Sequence, residues 1–199
     1  MELNKINKIS IVFASQNQNK LKEINDLLKN KFIVTGLDEL NYHLELEESF
    51  STLKENALQK ARFIQDLFKE NCFADDSGLE VPELNNEPGV NSARYAGPEK
   101  NDQNKIQKLL KNLEGSTNRK AHFKTIIALI FNEKEFIFEG VIHGRISAEP
   151  KGNKGFGYDP IFIPDGYNKT FAEMEKEEKN NISHRAIAVN KLVDFLRKD

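Results

Sequence analysis

Ile9-Ser10-Ile11-Val12-Phe13-Ala14-Ser15-Gln16-Asn17-Gln18-Asn19-Lys20 is an apolar run that breaks abruptly into a polar one. From Lys20 to Lys29 the residues Leu21, Ile24, Leu27 and Leu28 then fall at helical spacing. A short buried strand over Ile9–Ala14, a polar loop and a helix are the opening of an α/β unit. Working outward, Ile33–Thr35 reads as a second strand. Thr52-x-x-Glu55 is a capping box before a longer helix, with Leu53, Ala57, Ala61, Ile64 and Phe68 along one face. Asn71–Asp75 reads as a short strand that places the acidic pair Asp75-Asp76 at its end. Gly78 to Gly97, with Pro82 and Pro88, carries little periodicity and reads as a long loop, functional or disordered. Helical spacing returns at Ile106, Leu109, Leu110 and Leu113. Ala121–Phe131 and Glu135–Ile146 predict an antiparallel hairpin turning at Asn132-Glu133-Lys134. A Gly-rich loop, Gly152–Gly157, precedes a predicted strand over Tyr158–Ile163. Ser183 caps a last helix whose core face is read as Ile187, Asn190, Val193 and Leu196. The expectation is an α/β fold: a mixed sheet flanked by helices, with two lobes and a cleft.

A length of 199 residues fits a single domain over 1–199 with a real core. Hydrophobic residues are 38% and charged residues 30%, and the net charge is −2. That balance supplies no global basic field for wrapping nucleic acid. No apolar run approaches the ~20 residues of a membrane span, and Met1–Lys8 lacks a signal-peptide core. Cys72 is the single cysteine, so no internal disulfide forms and a reducing compartment is favoured. Beside Phe73 and Ala74 it reads as a buried strand thiol. A soluble cytoplasmic protein is expected.

Four segments carry candidate chemistry, and each has a plainer reading. Ser15 to Lys20 lies between strand and helix, where unpaired N–H groups and the Lys20 charge attract phosphate. The plain alternative is a polar turn capped by Asn19. No G-x-x-x-x-G-K-[ST] run occurs, so this is not a P-loop of the usual kind. Asp75-Asp76-Ser77-Gly78 sets adjacent carboxylates together, a repulsion that a divalent cation relieves. Glu45, Glu47 and Glu48 lie upstream, and only one of them need be a ligand; the alternative is a solvated acidic turn. Phe156, between Gly155 and Gly157 and before Tyr158-Asp159, can stack on a base, or pack inside a tight turn. Lys179 and Ser183-His184-Arg185 can meet a phosphate or a base carbonyl at a helix start; alone, His184 reads as a polar residue near a cap. His43, His122 and His143 show no metal-ligand spacing.

The order of these pieces is more telling than any one of them. Ser15-x-Asn17-x-x-Lys20 is followed by Glu48 and by Glu55-Asn56-Ala57-x-x-Lys60-Ala61. Ala74-Asp75-Asp76-Ser77-Gly78-Leu79 and Pro88-Gly89-x-x-Ser92-Ala93-Arg94-Tyr95 come next. Gly155-Phe156-Gly157-Tyr158-Asp159-Pro160 and Lys179-x-x-x-Ser183-His184-Arg185 close the series. From about residue 9 to 196 this order resembles the inosine triphosphate pyrophosphatase family. The resemblance implies an elongated mixed sheet flanked by helices, two lobes with a central active-site cleft, and a homodimer. It implies Mg²⁺-dependent hydrolysis of a purine nucleoside triphosphate to monophosphate and pyrophosphate. Ser15, Gln16, Asn17, Gln18, Asn19, Lys20 and Lys60 would face the phosphates. Glu48 and Asp76 would bind Mg²⁺, with Asp76 accepting the proton of the attacking water. Ser77 would touch substrate. Phe156, Gly157, Tyr158 and Asp159 would line the base pocket, completed by Lys179, His184 and Arg185. Many members carry Gly where this chain has Gln16. Competing readings are a nucleotide sensor without turnover, which need not keep Glu48, Asp75 and Asp76 together, and a nucleic-acid binder, which the net charge opposes.

Overall fold

The computed structural model describes residues 10–28 and 32–198. Ile9 and Lys29, at the ends of the first expected strand and helix, lie outside the described residues, as does Met1–Lys8. Strands β1 (Ser10–Phe13), β2 (Ile33–Gly36), β3 (Cys72–Val81), β4 (Glu87–Pro88), β5 (Lys120–Phe131), β6 (Lys134–Ile146) and β7 (Phe162–Pro164) form one sheet. Its order is β2-β1-β3-β5-β6-β7, with β4 against the end of β3. β1 runs parallel to β2 and β3, and the remaining pairings are antiparallel. The helices are α1 (Gln18–Leu28), α2 (Leu53–Phe68), α3 (Asp102–Asn112), α4 (Lys176–Ile182) and α5 (His184–Leu196).

Alternation along the strands fills two core layers. Val12, Cys72, Ala74, Ile126 and Ala128 face α2, meeting Leu53, Ala57, Ala61 and Ile64. Ile11, Phe13, Phe73, Ile127 and Leu129 face α1 and α5, meeting Ile24, Val189 and Leu192. Beyond Gly78 a third core takes over, in which Leu79, Val81 and Phe123 meet Ile106 and Leu109 of α3. These are the two expected lobes. The long strands β3, β5 and β6 run through both, and the acidic segment lies where one lobe gives way to the other. Among the described residues no helix is long and apolar enough to cross a membrane.

Two glycines set spacings that a side chain would prevent. A Cβ at Gly140 would lie 2.0 Å from the His184 carbonyl oxygen, so its absence lets the first turn of α5 rest on β6. A Cβ at Gly78 would lie 2.4 Å from the Gly89 carbonyl oxygen, and the turn Gly89–Asn91 folds directly onto β3 there.

Several expectations are corrected. Asp75-Asp76 is not at a strand end: β5 pairs with β3 from Cys72↔Ile130 through Glu80↔His122, so the pair sits mid-strand. Gly78–Gly97 is accordingly not one long loop. Its start completes β3, and 3₁₀ turns at Pro82–Leu84 and Gly89–Asn91 flank β4. Tyr158–Ile163 is strand only from Phe162, because Pro160, which lacks an N–H, falls in a 3₁₀ turn at Asp159–Ile161. In α5, Ile187 is half-buried and Asn190 exposed; the core face is Ala188, Val189, Leu192, Val193 and Leu196. The Thr52 hydroxyl accepts from the Glu55 N–H at 3.2 Å and donates to the Glu55 carboxylate at 2.7 Å, so the box closes between side chains. The hairpin turns on two left-handed residues, Asn132 and Glu133 (φ 49° and 63°), as tight hairpins require.

Candidate active site

A cavity of ≈ 360 Å³ opens at the junction of the lobes, within the range of small-molecule sites. Ser15, Gln16, Asn17, Asn19 and Lys20 line one end. Asn17, not Asn19, caps α1: its Oδ1 accepts from the N–H groups of Asn19 (3.0 Å) and Lys20 (3.1 Å). Gln16 donates to the Leu44 carbonyl and accepts from the Leu46 N–H at 3.3 Å, tying this loop to the acidic segment. Gln18 does not line the cavity; its amide donates to Asp38 at 3.2 Å.

Because successive strand residues point to opposite faces, Asp75 and Asp76 enter different surroundings. Asp75 is fully buried, 3.0 Å from the Lys20 Nζ and 3.3 Å from the Arg185 Nε. The Ser77 hydroxyl donates to it at 3.1 Å. Burial pushes the Asp75 carboxyl up, but the charges of Lys20, Arg185 and Lys60 outweigh that and hold it well below the usual range. Asp76 lines the cavity and meets no cation at ion-pair distance among the described residues. It accepts from the Ser77 N–H at 2.9 Å and the Asn56 amide at 3.3 Å. Burial pushes its carboxyl up; Lys60 and Lys20 oppose this, Glu48 and Asp75 add to it, and the net shift is upward.

Lys60, buried in α2, donates to Glu48 at 2.6 Å and to the Asp75 carbonyl at 2.8 Å. Glu48 also meets Arg94 at 3.3 Å. Its burial raises its carboxyl, but Lys60 prevails and the net shift is downward. Of the other acidic residues here, Glu45 is exposed and pairs with Lys100 at 2.6 Å, while Glu47 is simply exposed. Glu48 and Asp76 both line the cavity, but the two Glu48 oxygens are held by Lys60 and Arg94. Asp76 is a cavity-lining carboxylate without a counter-charge, and no cluster of three or more acidic, His or Cys side chains forms a full cage among the described residues. Such a donor set matches an ion that keeps waters and phosphate oxygens.

The far end of the cavity carries Phe156, Gly157, Tyr158, Asp159, Lys179, His184 and Arg185. Phe156 is half-buried, with the Lys179 ammonium 5.2 Å and the Arg185 guanidinium 5.8 Å from its ring centroid. Its N–H donates to Asp159 at 2.9 Å, and Lys179 donates to the same Asp159 oxygen at 2.6 Å. Burial still leaves the Asp159 carboxyl above its ordinary value. Tyr158 is buried and donates to the Ser92 carbonyl at 3.1 Å. His184 stacks on Phe123 with ring centroids 4.6 Å apart, and its buried Nδ1 has no partner among the described residues. Burial, with Arg185 and Lys179 nearby, keeps that imidazole neutral well below its ordinary range.

Glu23 and Phe123 have no part in the sequence expectation, and Asn56 enters it only within the Glu55–Ala61 motif, without a role. Glu23 lies in α1 and binds both Lys179 (2.8 Å) and Arg185. Its position three residues after Lys20 put it on the same helix face. Asn56 stands four residues before Lys60, a polar stripe beside the apolar face of α2, and that was its signal. Phe123 looked like any other strand aromatic.

A mixed sheet with ammonium groups and a bare carboxylate at one end of its cleft, and an aromatic shelf at the other, defines an α/β protein shaped for a nucleotide. The chain belongs to the Ham1 family, whose profile matches residues 11–195. It is 46% identical over 189 residues to the dITP/XTP pyrophosphatase of Flavobacterium psychrophilum, covering 95% of this chain and 100% of that one. The protein of the same name from Porphyromonas gingivalis is 49% identical over 187 residues, covering 94% and 96%. A solved HAM1 protein from Coxiella burnetii superposes with a TM-score of 0.88 at 42% identity, covering 96% and 100%.

Proposed function

We propose that this chain hydrolyses the non-standard purine nucleoside triphosphates ITP, dITP and XTP to the monophosphate and pyrophosphate, keeping them out of DNA and RNA. The names of its relatives support the activity. The observation that carries it at the level of atoms is Asp76, a buried carboxylate facing the cavity with no counter-charge and a raised pKa. A carboxylate shifted in that direction accepts a proton more readily than a free aspartate.

Glu48 and Asp76 would hold Mg²⁺, which when bound shares its charge with the phosphate oxygens. Asp76 takes a proton from water as the water oxygen bonds to the α-phosphorus. The bond from the α-phosphorus to the oxygen bridging to the β-phosphorus breaks, and pyrophosphate leaves. Lys20 and Lys60 balance the charge on the leaving group, and the Ser15–Asn19 turn holds the phosphates. Ser77, locked between Asp75 and Thr125 (2.7 Å), keeps Asp76 oriented through its N–H.

Phe156 supports the base, and Tyr158, Asp159, Lys179, His184 and Arg185 complete its pocket. Hypoxanthine and xanthine offer an O6 acceptor and an N1–H donor, and adenine reverses both, so donors toward O6 leave adenine unpaired. We take residues 1–199 as one pyrophosphatase domain acting as a cytoplasmic homodimer. The test is pyrophosphate release with Mg²⁺ from ITP, dITP, XTP, GTP and ATP. Strong preference for the first three, with monophosphate as co-product, is expected. Tight binding without turnover would make the protein a sensor, and equal rates on ATP and ITP would overturn the pocket argument.

A further inference from the structure

We infer that Asp102 and Lys105, in the first turn of α3, are positioning residues that hold the aromatic shelf for the base; this rests on the function proposed above. Two consecutive N–H groups of the shelf loop are each bound by a carboxylate. The Phe156 N–H goes to Asp159, three residues along its own chain, at 2.9 Å. The Gly157 N–H goes to Asp102, at the start of α3, at 2.7 Å. Each carboxylate is in turn held by an ammonium at 2.6 Å: Asp159 by Lys179 and Asp102 by Lys105.

The two clasps differ in what they join. Lys179 and Asp159 belong to the base pocket itself. Asp102 and Lys105 also line the cavity, but they stand on a helix whose apolar face, Ile106 and Leu109, is part of the third core. The Asp102–Gly157 bond is therefore a strut from that core to the loop. Lys105 is 6% exposed despite its charge, and its ammonium lies 5.6 Å from the centroid of the Tyr158 ring. The hydration that Lys105 loses by burial is offset by its pairing with Asp102, so the two side chains hold each other in place. Gly157 itself is left-handed (φ 63°), and the side on which a Cβ would sit is open. The bonds between Phe156 and Asp159 stay within the loop, and the one from the Gly157 N–H to Asp102 ties it to α3. Without that bond the loop pivots at Gly157, and the Phe156 ring loses its place over Lys179 and Arg185.

The experiment compares the wild-type chain with Asp102→Ala, Asp102→Asn and Lys105→Met, measuring ITP hydrolysis and the equilibrium binding of IMP and of inorganic pyrophosphate. A charge-assisted hydrogen bond of this kind sets the scale. Asp102→Ala is expected to raise KM for ITP and Kd for IMP about tenfold, with kcat and pyrophosphate binding changed less than about twofold. Asp102→Asn, which still accepts from the Gly157 N–H, recovers most of the loss. Lys105→Met, which keeps the acceptor but removes its charge partner, shifts IMP binding about threefold and carries the test should Asp102→Ala not fold. Unchanged IMP binding in Asp102→Ala and Lys105→Met overturns the inference, as does equal weakening of IMP and pyrophosphate. Wild-type protein that binds IMP but never turns over ITP defeats the proposed reaction instead, and the binding arm still decides the strut.

Discussion

At the phosphate end of the cavity Asp76 faces open space with no cation at ion-pair distance among the described residues, and its carboxyl is pushed up by burial. At the base end Asp159, Lys179, Glu23 and Arg185 are joined in a continuous run of three ion pairs. The chemical materials are the same, buried carboxylates among lysine and arginine. One end leaves a charge uncompensated and the other compensates nearly all of them. An uncompensated carboxylate is reactive and has room for a cation. A compensated network is inert, but it fixes the ring of Phe156 and the face presented to a base. Asp75 shows that the difference is local, since it adjoins Asp76 in sequence and is neutralised by Lys20 and Arg185.

The strongest way to break this contrast is to neutralise the two aspartates in turn. Asp76→Asn is expected to lower turnover about 10³-fold, the scale of a lost general base, with thermal unfolding unchanged or raised. The sign follows from the shift. A carboxyl whose folded pKa is raised disfavours the fold once pH climbs above its unfolded value, and Asn removes the penalty. Near-normal turnover would take the base role from Asp76. Asp75→Asn should behave oppositely, losing up to about 3 kcal/mol of stability, because Lys20 loses its carboxylate partner and Arg185 is left with Glu23 alone. Chemical denaturation of both variants decides it, and equal stabilities would erase the distinction.

Phe156→Ala probes the base end and should weaken IMP binding by about 1–3 kcal/mol, the range for base–aromatic stacking, while pyrophosphate binding holds. Comparable loss of both ligands would mean the ring supports the fold and not the base.

His184 gives a smaller, pH-dependent effect. Its folded pKa is depressed, so its contribution is fully present above about pH 6.5 and declines as pH falls, by at most about 1.4 kcal/mol per unit. The stability difference between wild type and His184→Gln should therefore shift in favour of the variant between pH 7 and 5; a constant difference would place a proton on His184 in the fold. The smallest effect is expected far from both ends, at the Arg62–Glu135 pair. Its two short hydrogen bonds (2.6 and 2.8 Å) look strong, yet both side chains are exposed. Glu135→Gln should cost less than about 0.5 kcal/mol by denaturation.

Two parts of the site were legible because they sit at element boundaries, unlike Lys60 and Asp76, which lie within α2 and β3. The Ser15–Lys20 turn lies between an apolar run and a helical one, and Ser183 marks a helix start, where its hydroxyl indeed accepts from the Ala186 N–H at 3.1 Å. Ser15, Lys20, Lys60, Asp76, Phe156, Lys179, His184 and Arg185 all line one cavity. Gln18 does not, because helix α1 begins at that residue and turns it toward Asp38. The extent of β3 was hidden because Asp75-Asp76-Ser77-Gly78 has no apolar alternation. Its strand geometry is imposed by pairing with β5 instead of by its own composition.

By itself the sequence determined most of the strands and helices and the caps Thr52 and Ser183, which depend on periodicity and residue chemistry over short spans, while the candidate site residues rested on the order of motifs along the chain. Tertiary structure decided which charge is cancelled. Lys20 and Glu23 of α1, Lys60 of α2 and Arg185 of α5 come from distant parts of the chain, and only folding sets them close enough, in surroundings dry enough, for ion pairing to favour Asp75 and leave Asp76 free.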